Sequence, residues 1–344
     1  MVVRLEHGAG GIEMLEFILK HIVSRVPPEA RNPPEGVGLD FLDDGALIRV
    51  GEGEYLALTI DSYTVKPLKF PGGDIGKLAA SGTINDLLMM GARPIALVDA
   101  IVVEEGVEES LVEEVVGSLA ETAASVGVFV VGGDFKVMPR GSLDTMVVAT
   151  AGVGFTRTPL VDRRISPGDV VVVSGPVGDH GAVIAAAQLG LLDRVKGLSS
   201  DVRPLNDLMV PLLERYGRYI KAARDPTRGG LAGVLSEWAR GVGLTIVINR
   251  EAVPIREATR SFLELLGVDP LNSASEGVAV LAVPREVSDE VVEYMRKLGY
   301  TEAAVVGEVI EPRTPFLRGR VIARTEVGGY TILEPNPQLT PRIC

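Results

Sequence analysis

Six aspartates stand at the ends of apolar runs or inside glycine-rich turns. They are Asp43 and Asp44 in FLDDGALI, Asp61 in LALTIDSY, Asp86 in TINDLLMMG, Asp134 in VVGGDFK and Asp225 in ARDPTRGG. Taken singly, an aspartate in such a place is a turn residue or a helix cap. Taken together they suit another chemistry, oxygen ligation of a hard cation such as magnesium, which binds phosphates and uses only a few protein carboxylates. Asp86 carries the sharpest form of this reading. On a 3.6-residue wheel Ile75, Ala79, Gly82, Asp86 and Met89 share one face that is small or apolar and should pack inward. A carboxylate carried inward needs a partner, because burying an unpaired charge is costly.

Glycine clusters supply what a phosphate would need beside such a cation. HGAGG contains Gly10 and Gly11, VVGGD contains Gly133, and PGGDIG and SGPVGDHG add two more. Glycine lets main-chain N–H groups approach phosphate oxygens. None of the clusters matches a P-loop or a G-x-G-x-x-G fingerprint, so a nucleotide site here would be of another type. Lys77, Lys136, Arg140 and Arg228 lie close to these turns, and Lys136 and Arg228 each follow an aspartate by two or three residues. His7, His21 and His180 show no metal-ligand spacing, and one cysteine gives no basis for a zinc site. His21 reads as a helix surface residue. His180, in a glycine-rich strand–helix turn, either orients a phosphate or ribose or makes a structural hydrogen bond. Trp238 is expected to pack a helix into a core.

The single cysteine, Cys344 in TPRIC, cannot form an internal disulfide. It stands there by accident or as the nucleophilic sulfur of a mobile arm, for which Pro335, Pro337 and Pro341 would provide an extended chain.

These residues must be positioned by a chain of 344 residues, enough for two domains. A net charge of −12 argues against nucleic-acid binding and against a basic membrane-surface protein. Hydrophobic residues make up 46% and aromatics 5%, the balance of a globular aliphatic protein. One cysteine fits a reducing compartment, and neither a signal core nor a membrane-length apolar run is visible, so the expectation is a soluble cytoplasmic protein. Strand runs alternate with helical runs in both halves. The helix after GGD is expected to start with Asp74 as its cap and to stop at Gly91. A further helix is expected over about 205–222. The reading is an α+β chain, an α/β sandwich in each half. Its parts are an N-terminal segment (1–39), a first domain (40–155), a second domain (156–334) and a flexible tail (335–344).

TIDSYTVKPLKFPGGDIGKLAASGTINDLLMMGARP closely resembles the N-terminal core of the HypE family, hydrogenase maturation factors that make cyanide ligands. GGDFKVMPRG, SGPVGDHG, RDPTRGGLAG and PRIC match further motifs of that family in the right order, and the resemblance covers nearly the whole chain. The terminal Pro-Arg-Ile-Cys separates it from relatives of the same fold: selenophosphate synthetase, thiamine-monophosphate kinase, aminoimidazole ribonucleotide synthetase and formylglycinamidine ribonucleotide synthetase.

The resemblance implies a two-domain PurM-like fold and a homodimer built through the N-terminal domains, with ATP and magnesium (Mg2+) in a cleft along it. It implies metal and phosphate roles for Asp44, Asp61, Asp86 and Asp225, and cofactor contacts from Gly10, Gly11, Asn85, Gly133 and Asp134 as well. Cys344, Glu276 and Lys136 are the implied catalytic residues. The loop NSASEG departs from the family's apolar-Ala-Asn-Glu-Gly pattern around Glu276. The implied activity is ATP-dependent dehydration of a carbamoyl group on Cys344 to a thiocyanate. The implied partners are a HypF-type carbamoyltransferase and a HypC–HypD iron scaffold. A small-molecule kinase of the same fold, or a non-catalytic thiol carrier, remains open from the residues alone.

Overall fold

In the computed structural model, which describes residues 2–325 and 328–336, the alternating run at 46–63 folds into a hairpin. Its strands are β1 (Ala46–Gly51) and β2 (Glu54–Tyr63), paired with Ala46 opposite Leu58. Before it lies helix α1 (Ile12–His21), and after it a minor hairpin of β3 (Lys69–Phe70) and β4 (Gly73–Asp74). Helix α2 (Ile75–Met89), strand β5 (Arg93–Glu104), helix α3 (Glu109–Ser125), and strands β6 (Phe129–Met138) and β7 (Met146–Thr156) complete the first unit. Its sheet runs β1-β2-β7-β5-β6, antiparallel except where β6 joins β5 through the α3 crossover.

Helix α2 begins as expected. The Asp74 carboxylate accepts the Lys77 N–H at 2.9 Å, and Gly91, with φ of 76°, follows the last turn. Nearly every residue of α2 is buried, because it packs against the sheet and α3 on one side and against the second unit on the other. A helix apolar all round is one with no solvent face.

The second unit holds β8 (Asp169–Val173), α4 (Asp179–Gln188), α5 (Asn206–Tyr216), β9 (Ala222–Arg224), α6 (Gly230–Val242), β10 (Thr245–Asn249) and α7 (Glu257–Leu265). It continues with β11 (Val280–Pro284), α8 (Arg285–Lys297), β12 (Ala304–Ile310), β13 (Arg320–Arg324) and β14 (Tyr330–Leu333). The seven strands run β14-β13-β10-β12-β8-β11-β9, all antiparallel but for the β10/β13 pair. The helix expected over 205–222 ends at Tyr216, and Ala222–Arg224 instead pairs with β11, which fixes the start of the RDPTRGG turn. Helix α7 and strand β13 had no counterpart in the sequence reading. The strand run VFVVGGD continues through Phe135 and Lys136 to Met138 as β6, so GGDFK makes no turn. Gly132, Gly133 and Asp134 lie inside β6, paired with β5.

One apolar cluster runs from Tyr63 and α2 through Leu208 and Leu281 to Val291, so both units share a core. No described helix is long and apolar enough to cross a membrane. The chain past β14 reaches Asn336, whose N–H donates to the Asn272 side-chain oxygen at 2.9 Å. Cys344 and the expected arm beyond Asn336 lie outside the described residues.

Candidate active site

Asp44 comes from the loop before β1, Asp86 from the last turn of α2, and Asp225 from the residue after β9. Their carboxylate oxygens converge to within 4.8 Å of one another. The loop of Asp44 lies tight on its neighbours, since a Cβ at Gly45 would stand 2.8 Å from the Leu58 carbonyl oxygen. Asp61 projects from β2 beside the group and faces Arg228 at 3.8 Å. Gly10 packs onto Arg228 from the N-terminal segment; a Cβ there would lie 3.1 Å from the Arg228 Cβ. Gly10 and Gly11 each have φ of 85°, a left-handed conformation that suits glycine. Both line a cavity of about 480 Å³ between α1 and the aspartates, which Asp44, Asp225 and Arg228 also line.

The cluster is acidic and closely packed. Burial is the first cause pushing the Asp44 and Asp86 carboxyls well above the usual range, and their neighbours' negative charge adds to it. Asp225 is pushed up to about 7 by burial and then by Asp61. Glu276 is raised by burial, then by Asp225 and Asp201. Among the described residues, Asp44 Oδ2, Asp225 Oδ2 and both Glu276 oxygens are buried with no hydrogen-bond partner. Buried acceptors without a hydrogen-bond partner, in an all-oxygen donor set, could hold a hard cation such as magnesium.

A second network borders the first. Arg224 donates from Nη1 to Asp44 Oδ1 at 2.5 Å, from Nε to Asp162 Oδ2 at 3.0 Å, and from Nη2 to the same oxygen at 2.7 Å. It also approaches Asp43 and Glu237 at 3.8 and 3.5 Å. One guanidinium shared by four carboxylates leaves negative charge over. Burial and the neighbouring Asp162 push Asp43 up to about 8. Trp238 packs in the second core as expected and donates its indole N–H to Asp162 at 2.8 Å.

Other expected site residues fall elsewhere. Asn85 is fully buried, and its amide is used on main chain: Nδ2 donates to Arg203 and Glu276 carbonyls at 3.1 and 3.4 Å, and Oδ1 accepts from Leu205 N–H at 2.8 Å. It fastens α2 to the second unit. Gly133 sits beside Asp99, whose oxygen would lie 2.4 Å from a Cβ at that position. Asp134 and Lys136 pair with each other at 2.8 Å on the exposed edge strand β6. The pairing row Asp61–Thr150–Asp99–Gly133 puts β6 three strands from β2, about 14 Å, so neither reaches the acidic group within this chain. Glu276 is drawn in by Asp201, which accepts its N–H at 3.1 Å. His180 is buried and bonds Ser200 through Nδ1 at 2.7 Å, which is the structural alternative. His21 lies against Phe17 on exposed helix α1. The Lys77 ammonium donates to the Gly72 carbonyl at 2.8 Å, and Arg140 lies over Gly106, both away from the cluster.

Arg224, Thr59 and Asp201 escaped the sequence reading. Thr59 shares the inward face of β2 with Asp61, so a period-two reading outward from that aspartate could have found it; Arg224 is the immediate neighbour of Asp225 and could have been found only by adjacency. Asp201 carried no signal.

Residues 42–156 match the N-terminal domain of AIR synthase related proteins, and residues 166–319 match the C-terminal domain. The chain is 40% identical to the carbamoyl dehydratase HypE of Rhodobacter capsulatus over 99% of its length and 98% of the relative's. Among solved structures it is similar to a HypE in complex with ATP, with a TM-score of 0.81, 36% identity and full coverage of both chains. It is also similar to a HypE–HypF complex, with a TM-score of 0.80 and 38% identity over 86% of this chain and 94% of that one.

Proposed function

This chain belongs to the AIR synthase related family and, within it, to the carbamoyl dehydratase HypE enzymes of hydrogenase maturation; from that premise we propose that it uses ATP to convert a carbamoyl group carried on Cys344 into a thiocyanate. The observation that carries the reading is the convergence of Asp44, Asp86 and Asp225 within 4.8 Å, with buried oxygens left unpartnered, beside Arg228 and the Gly10–Gly11 turn. A divalent cation held by the three aspartates would neutralise the triphosphate oxygens. Arg228 and the glycine turn would orient the phosphates from the other side.

Hydroxide is a poor leaving group, so the carbamoyl oxygen is first phosphorylated. That oxygen attacks the γ-phosphorus, the bond to ADP breaks, and one N–H proton leaves. Loss of the second N–H proton then expels phosphate as the C–O bond breaks, giving –S–C≡N. Thiocarbamate and ATP thus yield thiocyanate, ADP and phosphate. Glu276, buried and with its pKa raised chiefly by that burial, suits the role of proton acceptor once ionised. Lys136 and Asp134 could take part only from a partner copy.

A homodimer is supported by the first sheet. Leu58 and Ile60 on β2, Phe155 on β7, Val98 on β5 and Phe129 on β6 leave its outer face apolar and exposed. A HypE of known structure is seen in complex with HypF, which supports a HypF-type carbamoyltransferase as the donor to Cys344. A HypC–HypD scaffold as acceptor of the cyanide follows from the family resemblance.

An arm starting at Asn336 would begin close to the site. Pro335 lies over Gly229, next to Arg228, and Asn336 is tied to Asn272. Eight residues then span at most about 28 Å. The test is mass spectrometry of the C-terminal peptide after carbamoyl loading. Wild type should take up the group and lose one water's mass on adding ATP. Cys344→Ala should take up nothing, and Asp86→Asn should load but not convert. Loading of Cys344→Ala would refute the carrier role, and conversion by Asp86→Asn near the wild-type rate would refute the metal role of Asp86.

A further inference from the structure

Thr59 stands two residues before Asp61 on β2, so both side chains project toward α2. Its hydroxyl lies 2.8 Å from Asp86 Oδ2 and 2.9 Å from the main-chain oxygen of Asp44. One small group therefore touches both the loop that carries Asp44 and the helix that carries Asp86. From the other side Arg224 binds Asp44 Oδ1, and Asp162 and the Leu42 carbonyl hold the guanidinium in place. Asp86 thus spends Oδ2 on Thr59, and Asp44 spends Oδ1 on Arg224. Asp44 Oδ2 remains buried, with no hydrogen-bond partner among the described residues.

We infer that Thr59 and Arg224 are positioning residues that select which carboxylate oxygen Asp86 and Asp44 present to a divalent cation. The inference rests on the cation reading of the site given above. A carboxylate with two unheld oxygens can rotate and offer either one. A hydrogen bond to one oxygen fixes the plane and aims the other, and losing such an outer partner typically weakens metal binding about 10- to 100-fold. The two residues differ as handles. Arg224 neutralises several buried carboxylates, so removing it would leave buried charges unpaired and endanger the fold. Thr59 can be changed cleanly: Thr59→Val keeps the branched shape and loses only the hydroxyl, while Thr59→Ser keeps the hydroxyl.

The experiment is Mn2+ binding to the full chain without nucleotide, followed by electron paramagnetic resonance at about pH 8. Melting curves in cation-free buffer monitor the fold. Thr59→Val should bind Mn2+ about tenfold more weakly than wild type. Thr59→Ser should stay within about twofold, a rescue that a purely structural role would not produce. Should the valine variant fail to fold, Thr59→Ala carries the same expectation without a methyl group against the carboxylate. Wild type that holds no Mn2+ would remove the cation reading itself. Wild type that binds, with hydroxyl-free variants binding equally well, would overturn this inference alone.

Discussion

Asp225, Asp201 and Asp43 would titrate near 4 in the unfolded chain. Burial is the first cause that pushes them up to about 7, 7 and 8 in the fold. The native state therefore binds more protons than the unfolded one from about pH 4 to about pH 8. With the unfolded state holding fewer protons, stability falls as pH rises through that window. This is opposite to the behaviour of a salt-bridged carboxylate. A cation that requires charged carboxylates works against the loss. The cation-free protein should melt at a lower temperature at pH 8 than at pH 5.5, and magnesium should raise the melting temperature more at pH 8. A cation-free melting temperature that climbs over the same range would mean that these carboxyls are not held protonated. Glu276 belongs to the same buried set, and burial is the first cause that raises it.

Helix α2 is the element on which the site depends, since it carries Asp86 and meets both sheets' surroundings. Its close contacts rest on glycines. A Cβ at Gly76 would lie 2.1 Å from the Val115 carbonyl of α3, and one at Gly82 would lie 2.2 Å from the Tyr63 hydroxyl. Neither glycine has a left-handed φ, so the requirement is space rather than backbone conformation. Intrinsic propensity alone favours alanine by about 1 kcal/mol in a helix. At Gly76 overpacking against an immobile main chain should outweigh that gain, for a net loss of about 1–3 kcal/mol. Gly117 on α3 is the control, because nothing lies within 4 Å of its Cβ position, and Gly117→Ala should stabilise. Urea denaturation of the two variants checks the sign. Equal stabilisation by both would contradict the close α2–α3 approach. Asn85 adds the polar half of the same attachment, since its amide joins α2 to the segment that runs beside Glu276.

For the whole molecule, the proposed dimer rests on the outer face of the first sheet. Ile60 is 72% exposed and Phe129 68% exposed, on a face with no covering element among the described residues. Burying it against a second copy would remove the apolar patch and bring β6, with Asp134 and Lys136, toward a neighbouring protomer. Ile60→Asp should therefore convert a dimer to a monomer in sedimentation. An exposed substitution in a true monomer shifts stability by only about 0.5 kcal/mol. A wild-type protein that sediments as a monomer would refute the dimer and leave Lys136 without a site to serve.

Local order was legible in the residues themselves. Period-two runs marked β1 and β2, and the Asp74 cap and Gly91 stop bounded α2, because caps and periodicity act within a few residues of chain. The same wheel put Asp86 on the inward face. The placement of Asp44, Asp61 and Asp225 at strand and loop edges was likewise readable. What the sequence could not express was distance across the fold. Strand order is set by long-range pairing and by burial of both sheet faces, and nothing local to GGDFK signals that β6 lies three strands from β2. For that reason Asp134 and Lys136, which look like a phosphate turn in one dimension, stand apart from the acidic group in three. Asn85 looks like a companion of Asp86, yet the helix turns it about 100° away, into main-chain bonds with the second unit. Arg224 became visible as the hub of four carboxylates only when chain segments remote in sequence packed around it, since buried charge seeks its partner through space rather than along the chain.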